Sequence, residues 1–344
     1  MKAVMKVRKE YGAVEVVDIP GPEMPKEDEV LLRVHSAAVC GSDIHAYEYI
    51  PSYQTFMHVP VVLGHEACGV VEKVGGRVTE FVPGDRVMGE SNIYCGKCRN
   101  CRLGMTNICD ANLMRGLTTT GVMQEYVLFA EKNLHKVPEV LSFDEGAAAQ
   151  ACTVSVHGVL HRIAINAGND VLVAGVGIIG LAAAQLARLR GANVIVVGTD
   201  EDEVARLPIA RKMGFRTLNC RKEDVVAASG QRFGKKADFV LECSGASSAV
   251  VSAADAVKKG GTILLLGLVG KEVSFPFAKI TRAEVNIVTS YTSTWIDYEE
   301  TLSLLASGAL DIKPLLNIYS VEESGKAFED AVKKIALKPV LRFQ

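Results

Sequence analysis

Four cysteines, Cys95, Cys98, Cys101 and Cys109, share one loop in the pattern Cys-x2-Cys-x2-Cys-x7-Cys. Four thiolates gathered this closely can complete a tetrahedral zinc shell with no position left for water, the arrangement of a structural metal. Two disulfides or four free thiols are the alternative, and would crowd reactive sulfur into a hydrophilic loop without benefit. A second set differs in kind. Cys40-Gly41-Ser42-Asp43-Ile44-His45 and Gly64-His65-Glu66 offer a thiolate, an imidazole and a carboxylate on two separated loops, with Gly64 permitting close backbone approach. Three mixed ligands and one exchangeable position suit a catalytic zinc, whose open position takes a substrate oxygen. Taken singly, Cys40 reads as a small buried hydrophobe and His65 as a hydrogen-bonded core histidine.

Gly175-Val176-Gly177-Ile178-Ile179-Gly180 lies between an apolar strand at 171–174 and an Ala/Leu-rich helix at 181–190. In that context the first glycine permits the tight turn and the second lets a pyrophosphate approach the backbone N–H groups of the helix start. The third lets helix and strand pack closely. Asp200 closes the next strand region, 194–197, where a carboxylate can bond an adenosine ribose; Thr199 is the other candidate for that place. The rival reading of Asp200 is an N-cap in the acidic stretch 200–203. With Asp202 and Glu203 behind it, Asp200 would repel a 2′-phosphate, so NAD is expected over NADP unless Arg206 reaches back. Ser244 and Gly267 complete the cofactor-binding candidates.

These residues need elements to hold them. Up to about residue 150 the chain shows short β-like runs at 29–37, 68–74, 86–88 and 124–129, punctuated by Gly21-Pro22 and Pro83-Gly84-Asp85, which predicts an irregular, mostly antiparallel β domain. Beyond it come the βαβ unit and further strands at 239–242, 262–266 and 285–289 alternating with helical stretches. That alternation predicts an α/β fold with a doubly wound parallel sheet. The tail from 301 reads as a helix, a short strand near 315–318, a helix at 322–334 and a closing strand. With 344 residues, 49% of them hydrophobic, there is chain enough for two domains. A net charge of −2 leaves no basic field, so neither nucleic acid nor a membrane surface is an expected partner. No apolar run reaches bilayer length, and the strand-like start lacks the features of a signal peptide. Nine cysteines, an odd count, argue against a disulfide framework, and the cytoplasm is the expected compartment.

Together these motifs resemble the zinc-containing medium-chain alcohol dehydrogenases over nearly the whole chain. The resemblance rests on Cys-x-Ser-x-x-His at Cys40, Gly64-His65-Glu66 running into Ala67-Cys68-Gly69-Val70-Val71, Pro83-Gly84-Asp85-Arg86-Val87, the four-cysteine loop and the glycine fingerprint. The segment from Cys40 to Glu48 is most similar to the sorbitol (polyol) and threonine dehydrogenase branch. The resemblance implies a GroES-like catalytic domain (1–153), a Rossmann cofactor domain (154–290) and a C-terminal segment (291–344) returning to the first. Cofactor and substrate are then expected to meet in the cleft between domains. It implies Cys40 and His65 as catalytic zinc ligands, Glu66 as a ligand or a group alternating with water, and two zinc ions per chain. Gln150 stands where polyol dehydrogenases have Glu, with Cys152 as a nearby competitor. Ser290, Tyr291 and Thr292 stand where the sorbitol enzymes place an Arg-Tyr pair.

The expected reaction is reversible oxidation of a secondary alcohol, such as a polyol or sugar alcohol, with hydride passing to a nicotinamide. Ser42 and His45 are expected to relay the proton, the alternative being a turn residue and a surface histidine. Tyr47, Glu48, Phe56 and Tyr291 are candidates for lining the substrate pocket or for plain packing. His157 and His161 share a predicted helix face without a third metal ligand, and Cys68, Cys220 and Cys243 read as core thiols. A homo-oligomer, dimer or tetramer, is expected. The rivals are L-threonine 3-dehydrogenase-like oxidation of a hydroxy amino acid, a zinc-free quinone or enoyl reductase, and a non-catalytic NAD-binding zinc scaffold.

Overall fold

The structure, a computed structural model, describes residues 1–343 and divides into two units. The first comprises Met1–Ala151, Thr294–Ser307 and the chain from Leu316 onward; the second comprises Cys152–Ser293 and Gly308–Leu315. The stretch Gly308–Leu315 therefore lies with the second unit, where the sequence reading carried all of 291–344 to the first.

In the first unit the long strand Glu29–Ala38 is the spine of a seven-stranded sheet. Its apolar runs Val30-Leu31-Leu32 and Ala37-Ala38 are buried on both faces, with Val71 and Phe129 of the neighbouring strands in the same core. The strand order is Leu134–Lys136, Arg86–Gly89, Glu66–Val74, Glu29–Ala38, Lys338–Arg342, Leu316–Ser320, with Tyr126–Ala130 also pairing to the spine. All contacts are antiparallel except that between the last two strands. Gly89 is required by packing, since a Cβ there would sit 2.2 Å from the Phe129 ring. Lys6 is fully buried and donates to the carbonyls of Glu10, Gly12 and Tyr47, tying the first hairpin to the end of the helix Gly41–Glu48. The helix Phe143–Val156 closes the first unit and enters the second, and residues up to 150 are thus not all β.

The second unit is a six-stranded parallel sheet in the order Arg216–Asn219, Asn193–Gly198, Asp170–Ala174, Ala237–Glu242, Val257–Leu265, Asn286–Thr289. Its inner strands are apolar on both faces, as sheets covered by helices require. Leu172, Ile195, Val240 and Ile263 form the core. Among the described residues no helix is long and apolar enough to cross a membrane.

Candidate metal centres and cofactor turn

The helix Gly41–Glu48 begins at Cys40, which is its N-cap in extended backbone. The ligand motif is thus on a helix start, and Glu66 opens a strand, rather than both sitting in loops. The fully buried Asp43 joins the two ligand segments: its carboxylate accepts the Cys40 N–H at 2.9 Å and the Gly64 N–H at 3.2 Å. The same carboxylate lies 3.8 Å from His65 Nδ1. Gly64 has φ +87, and a Cβ on it would come 2.5 Å from Met123 Cγ. A turn this tight is open to glycine alone.

So positioned, one ligand atom each from Cys40, His65 and Glu66 lies within 4.8 Å of the others. Burial alone would depress the His65 imidazole, but the charges of Asp43, Cys40 and Glu66 raise its pKa to about 10. Glu66 is fully buried and its Oε1 has no hydrogen-bond partner, while Oε2 forms an ion pair with Lys338 Nζ at 2.5 Å. A buried carboxylate oxygen left without a donor is costly unless something else claims it. Thiolate, imidazole and an unclaimed carboxylate oxygen at these separations fit a zinc ion. Lys338 also donates to the Val39 carbonyl at 3.0 Å. Burial works against its charge, and Glu66 and Cys40 outweigh that, raising its pKa.

Ser42 and His45 lie three residues apart on the same helix, both partly exposed, and burial lowers the pKa of His45. Gln150, on the helix Phe143–Val156, points its Nε2 at Ser91 Oγ, 3.1 Å away. Ser91 N–H donates to the Tyr298 hydroxyl at 3.1 Å, and the Tyr298 ring stacks on His135 with centroids 4.7 Å apart. His135 sits between Glu90 at 3.2 Å and Glu299 at 2.6 Å; burial opposes its charge, but these two carboxylates raise its pKa. Neither this chain of contacts, Asp43 nor Lys338 was identified from sequence. A lysine in the closing apolar strand was the available signal, since lysine is buried only when paired.

The four sulfurs of Cys95, Cys98, Cys101 and Cys109 also lie within 4.8 Å of one another. Backbone N–H groups point at them: Cys98 N to Cys95 Sγ at 3.3 Å, Cys95 N to Cys109 Sγ at 3.3 Å and Cys101 N to Cys98 Sγ at 3.4 Å. Donors from Lys97 and Cys98 lower the Cys95 pKa to about 6. Preformed N–H donors and a closed shell of sulfur fit a structural zinc.

In the second unit Gly175 has φ +114 and Gly180 packs so closely that a Cβ would be 2.1 Å from the Gly175 carbonyl. A Cβ on Gly177 would meet nothing within 4 Å, so the backbone there faces open space at the start of the helix Ile178–Leu189. Ile178 and Ile179 form the first turn of that helix. The N-cap of the acidic turn is Thr199 rather than Asp200: its N–H and hydroxyl both donate to Asp202 at 2.8 Å. Asp202 is therefore engaged, also facing Arg206 at 3.6 Å, while Asp200 stays exposed, accepting from Asn219 at 2.9 Å. Ser244 and Gly267 stand beyond the ends of two adjacent strands, Ala237–Glu242 and Val257–Leu265. Tyr47 is packed between Tyr11 and Phe328, whereas Phe56 and Tyr291 are partly exposed. His157 and His161 fall on a π-helical turn. Cys68 and Cys152 are buried, but Cys220 is exposed and so is no core thiol.

The alcohol dehydrogenase GroES-like domain matches residues 26–139, and the zinc-binding dehydrogenase domain matches residues 179–307. The chain belongs to the zinc-containing medium-chain dehydrogenase family and is an oxidoreductase. Among curated relatives, the L-threonine 3-dehydrogenases of Escherichia fergusonii and of Escherichia coli K12 are each 35% identical over 334 residues, covering 96% of both chains. Among solved structures, an alcohol dehydrogenase of Thermus sp. ATN1 is similar with a TM-score of 0.90 and 28% identity, over 99% of each chain. A zinc-binding dehydrogenase structure from Sinorhizobium meliloti 1021, bound to NADP, has a TM-score of 0.89 and 30% identity, covering 99% of this chain and 98% of that one.

Proposed function

We propose that this chain reversibly oxidises a secondary alcohol, a polyol or sugar alcohol in class, using zinc at Cys40, His65 and Glu66 and NAD on the turn from Gly175 to Gly180. The observation that carries the reading is the convergence of the three ligand atoms beside a buried carboxylate oxygen that no hydrogen bond satisfies. When bound, zinc supplies Lewis acidity toward the alcohol oxygen and NAD accepts the hydride. Ser42 takes the hydroxyl proton, and His45, kept neutral by its lowered pKa, accepts it one helical turn further on. Asp43 holds the Cys40 and His65 segments in register, and Lys338 neutralises Glu66 when that carboxylate is off the metal. Cys95, Cys98, Cys101 and Cys109 hold a second, structural zinc.

Two features support NAD over NADP: Asp200, exposed with Asn219 and Lys222 beside it, places a negative charge where a 2′-phosphate would come, and Arg206 faces Asp202. A hydroxy amino acid is the second reading, favoured by the 35% identity to the L-threonine 3-dehydrogenases. Nine free cysteines suit a reducing compartment, and we place the chain in the cytoplasm as a homo-oligomer. Turnover of L-threonine, sorbitol, xylitol, galactitol and butanediols by the zinc-loaded protein, with NAD and with NADP, tests the proposal. Activity with no alcohol would overturn it, and activity confined to threonine would select the second reading.

A further inference from the structure

Three loops leave the carboxyl ends of adjacent parallel strands in the second unit: the turn at Gly175, the segment Cys243 to Gly245, and Gly267 with Leu268. They are in direct contact. A Cβ on Gly175 would be 3.0 Å from Ser244 N, one on Gly267 would be 2.2 Å from Gly245 N, and one on Gly245 would be 2.6 Å from the Leu268 carbonyl. At their meeting point lies Glu242, a carboxylate with no exposed surface. Its Oε1 accepts the Ser244 N–H at 2.8 Å, the Gly245 N–H at 3.1 Å and the Ser244 hydroxyl. Its Oε2 accepts the Gly245 N–H at 3.2 Å and would lie 2.6 Å from a Cβ on Gly267. Its backbone carbonyl accepts from Leu266 at 2.8 Å and Gly267 at 2.9 Å.

We infer that Glu242 is the positioning residue of the cofactor site, fixing the Ser244-Gly245 wall against the Gly175 turn. The inference rests on the reading of that turn as a nicotinamide dinucleotide site. A βαβ sheet needs no buried carboxylate at this place. Burying one is costly, and the cost is met here by converging N–H and O–H donors. Every donor that meets it belongs to Ser244 or Gly245, so the charge acts on that wall. Open α/β sheets bind ligands at the carboxyl ends of their strands, the end where Glu242 stands. Charge-assisted bonds of this kind are about twice as strong as neutral ones, so an amide in place of the carboxylate loosens the wall while keeping its size. The amide also brings a donor, its NH2, into a cluster of donors.

The test is NADH binding, followed by cofactor fluorescence with NADPH in parallel, to zinc-loaded wild type, Glu242→Gln and Ser244→Ala, with thermal unfolding of each without cofactor. Glu242→Gln is expected to weaken NADH binding about tenfold and to raise the KM for NAD in step, leaving the alcohol KM and zinc content unchanged. Ser244→Ala, which deletes one donor and keeps the charge, is expected to lose about threefold and remains informative if Glu242→Gln fails to fold. NADH affinity within twofold of wild type in both variants would overturn the inference. Wild type that binds neither NADH nor NADPH would overturn the reading of the site itself, and the inference with it.

Discussion

Glu66 and Lys338, at opposite ends of the sequence, form an ion pair of 2.5 Å in which both side chains are buried. The metal ligand and its counter-charge are therefore one electrostatic unit. Removing one partner of such a pair strands the other charge, at a cost of about 3 kcal/mol or more. Lys338→Met should destabilise the zinc-stripped protein by about that amount in urea unfolding, and Lys338→Met/Glu66→Gln should recover part of the loss. Zinc should also leave Lys338→Met more slowly on addition of chelator, because the unneutralised carboxylate has the metal as its remaining partner. Equal stability of wild type and Lys338→Met would count against the pairing.

The two metal sites should separate in function. Cys95→Ser opens a closed sulfur shell and should lower Tm by several degrees with loss of one zinc, whereas Cys40→Ser should abolish turnover and leave the fold intact. Metal analysis of purified wild type should return two zinc ions per chain. One or none would refute this.

The structural site should also respond to pH in a defined direction. The Cys95 thiol has its pKa lowered to about 6 from 9.0, so its ionisation stabilises the folded loop fully above pH 9 and that stabilisation is lost as pH falls through about 6. Zinc uptake by the metal-free four-cysteine loop should therefore weaken as pH falls through about 6, as read by a colorimetric chelator. Zinc affinity that stays the same on either side of about pH 6 would contradict the thiolate assignment.

Gln150 donates to Ser91, and its exchange for Glu tests whether it reaches the proposed catalytic metal. Zinc with the Cys40 thiolate, neutral His65 and the Glu66 carboxylate is neutral overall; a Glu at 150 would add a negative charge, hold the ion more tightly and make it a weaker Lewis acid. Gln150→Glu should slow zinc loss to chelators and move the acid-side limb of the alcohol-oxidation profile to higher pH. No change in either places Gln150 outside the metal shell.

Cofactor choice should turn on Asp200. If Asp200 bonds the ribose as proposed, Asp200→Ser removes about 1.5 kcal/mol of charge-assisted bonding and should raise the KM for NAD about tenfold while lowering that for NADP. An NADP preference in wild type would sink the assignment.

The parallel sheet was legible in the sequence because strands buried on both faces read as continuous apolar runs, and Gly175, Gly177 and Gly180 occupy the positions their spacing predicts. The short strand Arg216–Asn219 escaped because three of its four residues are polar and it lies at the sheet edge. The ligand helix Gly41–Glu48 has no amphipathic period to reveal it; Asp43 and the contacts of Lys6 make it a helix. The helix Phe143–Val156 did carry a signal, Ser142 bonded to Glu145 in the reciprocal pattern of a helix start, followed by three alanines. The partner of Lys338 could not be read, because strand order brings Glu66 to it from far away in sequence, whereas Glu242 bonds its own near neighbours Ser244 and Gly245 and gains its place only where three loops meet.

The pairing of Lys338–Arg342 with Glu29–Ala38, Val340 opposite Ala38, fixes an order of events during synthesis. A nascent chain that has exposed its first 150 residues still lacks the strand that extends the spine and the ammonium that neutralises Glu66. The second unit has its whole parallel sheet in the continuous stretch Cys152–Ser293. On the ribosome, then, the later-made sheet is ready to fold first, and the earlier-made one waits, Cys40, His65 and Glu66 unlocked, until the strand Lys338–Arg342 has emerged.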